Sequence, residues 1–442
     1  MDSSVPPRTV APFDRNPLFL LAALAILLRL AYLVFTWKTL ASGGWEYENL
    51  SDSFLSQGRF LFDHGAGPVD SAYMPPGVTF VLIAAKSLLP TSFLFLLAAL
   101  HLALAAGGLF LTARVAERAG GPRAALLAAA LYAFDVNLFL PVAWVLETIY
   151  TIFLLLLSVH LTGKLDEEPS LRTAAALGIT LGLASLFRST MVPQIGLSLF
   201  WLFSSKWRKK RPASWKVLGT AAFAFVLTLT PWTIRNHHTF GKIIPVSQNL
   251  GINLWQGWNP TGGGSEYALD GSPMPMTPDL TKDLAAASTE PEWDAALKRA
   301  AFRYASEDPI RWLKQRALSF LFFWHEHNFW APKSPYRTTG WLLLGAANIP
   351  FVLLFFIAAA WTAGRRGYPR YLLAVMGLHC LIHTLTHADI GSRYRYQIEP
   401  IMLILIALFL SDRLPVAGTR LESFVRRLSP SYKKDPGTGI AS

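Results

Sequence analysis

Charge is what this sequence has least of. Lys, Arg, Asp and Glu make up 15% of its 442 residues, while hydrophobic residues make up 52%. Soluble domains carry about 25% charged residues, so an ordinary soluble enzyme is excluded. Cysteine is scarcer still: Cys380 stands alone inside an apolar segment, and no internal disulfide can form. Internal repeats are also missing. Acidic residues number 28 against 40 basic ones, which leaves a net charge of +12. In a soluble protein that balance would suggest nucleic acid. Here the basic residues fall between apolar runs, where they mark cytoplasmic loops, and no nucleic-acid partner is expected.

What the chain does have is long apolar runs, several of 17 to 25 residues, each able to cross a hydrocarbon core of about 30 Å as a helix. The expected fold class is an all-α polytopic membrane protein with about ten spans. The first run, 17–37, follows a short basic flank with Arg8 and Arg15 and lacks a small-residue cleavage site, so it reads as a retained helix. The stretch 78–89 carries Lys86 and is too short to span; it reads as an interfacial or re-entrant helix. Further spans follow at about 91–113, 123–139, 144–163, 171–187, 190–205, 215–234, 338–362, 369–388 and 397–411. This count places both termini and every basic cluster between spans in the cytoplasm, including the dense run 206–211.

The organisation that follows is an N-terminal membrane module, 1–235, with an outer loop at 38–90; an outer segment, 236–337; C-terminal spans, 338–412; and a basic cytoplasmic tail, 413–442. In the outer segment, Thr289–Glu292 has capping-box spacing. Ile310–Trp324 reads as a helix along the membrane surface, and Gly/Pro-rich Asn259–Pro278 as a mobile loop. Arg29, Glu46, Asp135, Glu147, Arg188, Arg235, Arg393 and Arg395 all fall in the outer half under this count. A charge at the bilayer centre costs at least about 2.5–3.5 kcal/mol, so a group of them at one face suggests a water-filled cavity. The plainer reading is that each arginine snorkels to headgroups, although the short carboxylate of Glu147 reaches less far.

Several motifs carry a resemblance, in chain order. They are Gly44-Trp45-Glu46 with Asn49-Leu50 and Gly58-Arg59-Phe60; Tyr73 with Pro75-Pro76-Gly77; Glu147; Gly182-Leu183-Ala184 with Arg188; Pro231-Trp232-Thr233-Ile234-Arg235-Asn236; Asn253-Leu254-Trp255 with Gly257; and Arg393-Tyr394-Arg395 with Glu399-Pro400. Together they resemble the polyprenyl-phosphate-dependent glycosyltransferases of the C superfamily (GT-C). The nearest branch in pattern is that of the family 39-like protein mannosyltransferases and the lipid A aminoarabinose transferases.

The resemblance implies an inverting transfer on the outer face of a bacterial cytoplasmic (inner) membrane. A sugar passes from a polyprenyl-phosphate donor to a hydroxyl of a glycan, lipid or protein acceptor, with a carboxylate as general base. Glu46 matches the family's first-loop acid and Glu147 a second acidic position, which would orient the acceptor or pair with an arginine such as Arg29. Glu48 and Asp52 are the rivals of Glu46; on a helix, Glu46 and Glu48 would face different ways. Arg393, Arg395, Arg235, Arg59 and Lys86 are the candidates for the donor phosphate, with Arg188 another. Tyr73, Trp255 and Asn253 are candidates for acceptor or sugar contacts, and Trp258 and Trp330 for ring stacking. Relatives carry Lys or Arg before the Pro-Pro pair, and this chain has Met74. His379, His383 and His387 share one helix face, but with no further ligand fixed by spacing they read as polar packing, as do His325 and His327. No cofactor or metal is expected. The alternatives are a transporter or translocator of lipid-linked sugars, or an O-antigen ligase-like enzyme.

Overall fold

The computed structural model describes residues 16–41, 45–64, 67–208, 214–261, 274–325, 339–386 and 394–414. Arg8, Arg15, the basic run 209–211, His327, Trp330, His387, Arg393 and the basic tail lie outside the described residues, as does most of the Gly/Pro-rich loop. Each of the ten expected spans contains a helix. Among the described residues, five helices are long and apolar enough to cross a membrane: Asn16–Phe35 (α1), Phe93–Gly120 (α5), Thr148–Glu167 (α7), Trp215–Phe240 (α10) and the Gly345–Ala363 part of Thr339–Ala363 (α15).

Between α1 and α5, the outer loop holds Trp37–Ala41 (α2), Trp45–Gln57 (α3), an antiparallel pair of short strands, Leu61–Asp63 (β1) and Pro68–Asp70 (β2), and Pro76–Leu88 (α4). The remaining membrane-module helices are Pro122–Phe134 (α6), Leu171–Phe187 (α8) and Val192–Arg208 (α9). The outer segment contributes Leu250–Trp258 (α11), Pro278–Ala286 (α12), Glu290–Glu307 (α13) and Pro309–Trp324 (α14). Tyr368–Thr386 (α16) and Glu399–Arg413 (α17) complete the bundle.

One expected span is shorter than its apolar run. The third was expected over 123–139, but α6 ends at Phe134 and the chain turns by 66° into two 3-10 turns, Val136–Leu138 and Leu140–Ala143. The cause is local: the Asp135 carboxylate accepts the Asn137 backbone N–H at 2.9 Å, which competes with continuing the helix. Arg29 then caps the freed end of α6. Its guanidinium donates to Tyr132 O at 2.9 Å and Ala133 O at 3.3 Å, and lies over the Phe139 ring. Arg29 therefore serves α6 rather than Glu147.

Small residues decide where the ends of these helices sit. A Cβ on Gly182 would lie 2.6 Å from Thr228 Cβ, and one on Gly178 would strike the backbone of Ala221. This small-x-x-x-small face lets α8 and α10 touch backbone to backbone and fixes the end of α8, where Arg188 follows. Gly77 does the same for α4: a Cβ there would lie 2.7 Å from the Phe187 ring and 2.9 Å from Leu186 O. Pro76 sits at the first turn of α4, where its missing N–H costs nothing. The Pro-Pro-Gly motif thus presses the outer loop against the end of α8.

The outer segment is tied to that loop. The buried Glu290 carboxylate accepts the Ala72 N–H at 2.6 Å and meets His64 Nε2 at 2.9 Å. Gln248 N–H donates to Ala72 O at 2.8 Å. The Thr289–Glu292 capping box forms as expected, and Asp308 caps α14 through the Arg311 N–H at 2.9 Å. Outside the membrane spans, buried Arg316 bonds Thr384 O at 2.8 Å and also Gly257 O, joining α14 to α16 and α11. Burial pulls its pKa down to about 10, so it remains charged at neutral pH.

Candidate active site

A cavity of about 410 Å³ opens where α3, the 73–75 strip, the ends of α7 and α8, and α11 meet. Glu46, Tyr73, Met74, Glu147, Arg188 and Asn253 all line it. Residues as far apart in sequence as Glu46 and Tyr394 thus share one hollow. Glu46 is half-buried in the first turn of α3. Its neighbour Tyr47 also lines the cavity, whereas Glu48 and Asp52 do not. Asp52 is instead bound by Lys86 Nζ at 2.6 Å. The helical reading of this stretch thus separates Glu46 from its rivals by face.

Glu147 sits in the turn before α7 and is 5% exposed. Arg188 Nη1 donates to its Oε1, and Tyr47 Oη donates to its Oε2 at 3.1 Å. Arg188 in turn bonds Thr190 Oγ1 at 3.2 Å and lies 4.5 Å above the Tyr394 ring. With its amide oxygen turned toward Arg188, buried Gln397 accepts from Nη1 at 2.7 Å and Nε at 3.0 Å. Tyr394 stacks on His383 at 4.9 Å, and His383 on Phe323 at 5.9 Å. A column of side chains from α14 to α3 therefore holds Arg188 and Glu147 in place, with Glu46 beside it.

Arg393 lies outside the described residues, and the structure places the other expected cations elsewhere. Arg395 is fully buried: it pairs with Glu399 at 3.1 Å and donates to Trp324 O at 2.8 Å, away from the cavity. Arg235 Nη1 donates to Ser71 O at 2.7 Å and fixes the strip before Tyr73. Arg59 is exposed and bonds Asp70 through Nε at 3.2 Å, which raises its pKa. Lys86 holds Asp52 and Ser51. None of these four lines the cavity; among its described lining residues Arg188 is the cation.

The expected sugar contacts divide likewise. Tyr73 and Asn253 line the cavity, Tyr73 stacking on Phe62 at 5.4 Å. Trp255 does not: it is 4% exposed and packs with Leu254, Trp258 and Leu297 in the core of the outer segment. The α11 helix turns that face inward because Gly251 lies against the Asp294 backbone. Trp258 is buried as well and donates to Leu385 O at 2.8 Å.

Arg188 and Tyr47 were the residues hardest to assign from sequence. Arg188 follows the Gly182-Leu183-Ala184 motif, but its partner lies 41 residues away. Tyr47 carried no signal beyond its place beside Glu46. Among the described residues no group of three or more His, Cys, Asp or Glu side chains could hold a metal.

No family model matches the chain, and no curated protein matches it. Solved structures do. The archaeal oligosaccharyltransferase AglB from Archaeoglobus fulgidus, in complex with an inhibitory peptide and a dolichol-phosphate, aligns with a TM-score of 0.57 at 14% identity over 96% of this chain. The alignment covers 53% of AglB, so this chain spans about half its length. The apo form of the Archaeoglobus fulgidus oligosaccharyltransferase aligns with a TM-score of 0.56 at 13% identity, over 96% of this chain and 53% of that one. ArnT from Cupriavidus metallidurans, bound to undecaprenyl phosphate, is also similar, at 13% identity over 86% of this chain and 76% of that one; its TM-score of 0.37 is too low to argue from. At these identities the likeness is one of fold: the chain shares the fold of the Archaeoglobus fulgidus oligosaccharyltransferase over almost its whole length.

Proposed function

We propose that this chain is a membrane glycosyltransferase that moves a sugar from a polyprenyl-phosphate donor to an acceptor hydroxyl, inverting the anomeric carbon. The observation that carries the reading is the single cavity that unites Glu46, Glu147 and Arg188 on a GT-C fold. Glu46 acts as the general base. A half-buried carboxylate at the cavity wall can take the acceptor proton as the hydroxyl oxygen bonds to the anomeric carbon, while the polyprenyl phosphate leaves on the opposite side.

Glu147 serves a different role. Held by Arg188 and Tyr47, it orients the guanidinium and the tyrosine rather than accepting the proton. Arg188 then offers fixed positive charge to the departing phosphate, the kind of preorganised stabilisation that favours a developing anion. Arg188 thereby compensates in part for Met74, which stands where relatives carry a cation. The cavity faces the outside of a bacterial cytoplasmic membrane under the positive-inside rule.

The test is reconstitution. Proteoliposomes containing the purified chain, undecaprenyl-phosphate-linked radiolabelled sugars and a membrane glycolipid extract should release free undecaprenyl phosphate at a rate proportional to protein. No protein-dependent release from any lipid donor would overturn the reading.

A further inference from the structure

The part of the cavity lining contributed by α11 is made of side chains that the proposed chemistry does not use. Asn249, Asn253 and Gln256 stand at i, i+4 and i+7 and all line the cavity, so they share one face of α11. Ser247, Thr190 and Thr386 join them. The opposite face of α11, with Leu254, Trp255 and Trp258, is buried in the core of the outer segment. The helix is thus divided into an aromatic side that anchors it and an amide side that faces the hollow. Asn253 is held by its own helix, its Nδ2 donating to Asn249 O at 2.6 Å, and Ser247 Oγ donates to Asn249 Oδ1 at 3.0 Å. These bonds fix the orientation of the Asn253 amide and set its oxygen on the other end.

Among the described residues, the α11 face of the cavity carries no charged side chain. The charged side chains among the described lining residues are Glu46, Glu147 and Arg188, none of them on α11, and the last two are paired with each other. We infer that the amide face of α11 is a subsite for an uncharged sugar ring, selecting neutral hexoses or pentoses over amino sugars and uronic acids. An amide or hydroxyl can both donate and accept, which matches ring hydroxyls that do the same. Against the α11 face itself a charged ring would meet amides and hydroxyls in place of a counter-charge. A site built from such groups discriminates because a mismatched ligand leaves buried polar atoms unpaired. The inference rests on the glycosyltransferase reading and adds to it the class of sugar.

The experiment uses the full chain in nanodiscs, with a fluorescent undecaprenyl phosphate as reporter. Four competitors are compared: undecaprenyl phosphate alone, and the same lipid carrying a neutral hexose, a cationic aminopentose or an anionic hexuronate. The hexosyl lipid should compete about tenfold better than the bare lipid, the effect of roughly one added hydrogen bond, and the charged lipids no better than the bare one. Asn253→Asp, and independently Gln256→Asp, should move the preference toward the aminopentosyl lipid. A neutral disaccharide supplied without lipid separates the two sources of such a ring. If it binds wild-type protein better than N253D while the hexosyl lipid gains nothing, the ring belongs to the acceptor. Equal competition by all four lipids, with no disaccharide binding, overturns the sugar subsite and leaves the phosphate reading standing. Tighter binding of either charged lipid by wild-type protein also overturns it. A reporter that does not bind at all removes the donor reading and this inference together.

Discussion

Two arginine–glutamate pairs lie buried among the described residues, and they differ in what surrounds them. Arg188–Glu147 borders the cavity, with side chains about 7% exposed on both sides. Arg395–Glu399 is sealed, with both side chains at 0%. Around the second pair, Asn137 Nδ2 donates to Glu399 Oε1 at 2.8 Å and to Asn348 Oδ1 at 2.9 Å, and Arg395 reaches the Trp324 carbonyl. That network knots together the end of α6, α14, α15 and α17. The chemistry of the two pairs is the same, yet only one meets space a substrate can enter. A charge inside a membrane bundle is therefore not by itself the mark of a site; an adjoining cavity is.

The contrast can be broken by mutation. The largest effect on stability should come from the sealed pair. Glu399→Ala leaves Arg395 buried without its counter-charge, which costs about 3–5 kcal/mol, and the thermal unfolding midpoint in detergent should fall accordingly. A midpoint unchanged from wild type would show that Arg395 finds solvent or another partner. At the cavity, Arg188→Met removes a charge-assisted bond worth about 1.5–3 kcal/mol but leaves Glu147 with Tyr47 and nearby water. Its midpoint should fall less than that of Glu399→Ala while sugar transfer falls at least about tenfold. A variant that is as active as wild type would remove Arg188 from the phosphate site.

A third contrast concerns Arg235, which fixes the strip before Tyr73 without lining the cavity. Arg235→Lys retains charge but loses the planar fork. Its transfer rate should drop by no more than about tenfold, a positioning effect, with donor affinity unchanged in the competition assay. Lost donor affinity would restore Arg235 as a phosphate ligand. The smallest effect belongs to a fully exposed acid. Hydrogen bonds from Ser288 and then Thr289 lower the pKa of Glu292 from its ordinary value of 4.5. Its contribution to the capping of α13 is therefore present above pH about 4.5 and is lost as pH falls through the depressed folded value. Glu292→Gln should flatten that acid limb of stability, read by hydrogen exchange in α13, without changing transfer at neutral pH.

Much of the fold was legible because apolar runs and turn chemistry are local. The ten helical segments, the short 76–88 helix and the Thr289–Glu292 capping box follow from residues close in sequence. The break at Asp135 was not legible, because the apolar run continues through Phe139 and a single Asx bond ends the helix. The candidate site was legible where a motif happened to line the cavity, as with Glu46, Tyr73, Glu147 and Asn253. It was not legible where pairing decides. An arginine beside the last span looks the same in sequence whether it meets a phosphate or Glu399, and Trp255 looks exposed until Gly251 is seen against Asp294. Which of two neighbouring acids faces the hollow also depends on helical phase, and α3 sets it in favour of Glu46.

That phase supplies the most direct test of the central claim, that Glu46 is the base. Glu46→Gln and Glu48→Gln proteins, matched for thermal midpoint and lipid content, are compared in the same proteoliposome assay. The account predicts that Glu46→Gln loses at least about a hundredfold in transfer rate, the lower range for a missing general base, while Glu48→Gln stays within about twofold of wild type, as expected for an acid outside the cavity. Retained transfer in Glu46→Gln, or an equal loss in both, would contradict it.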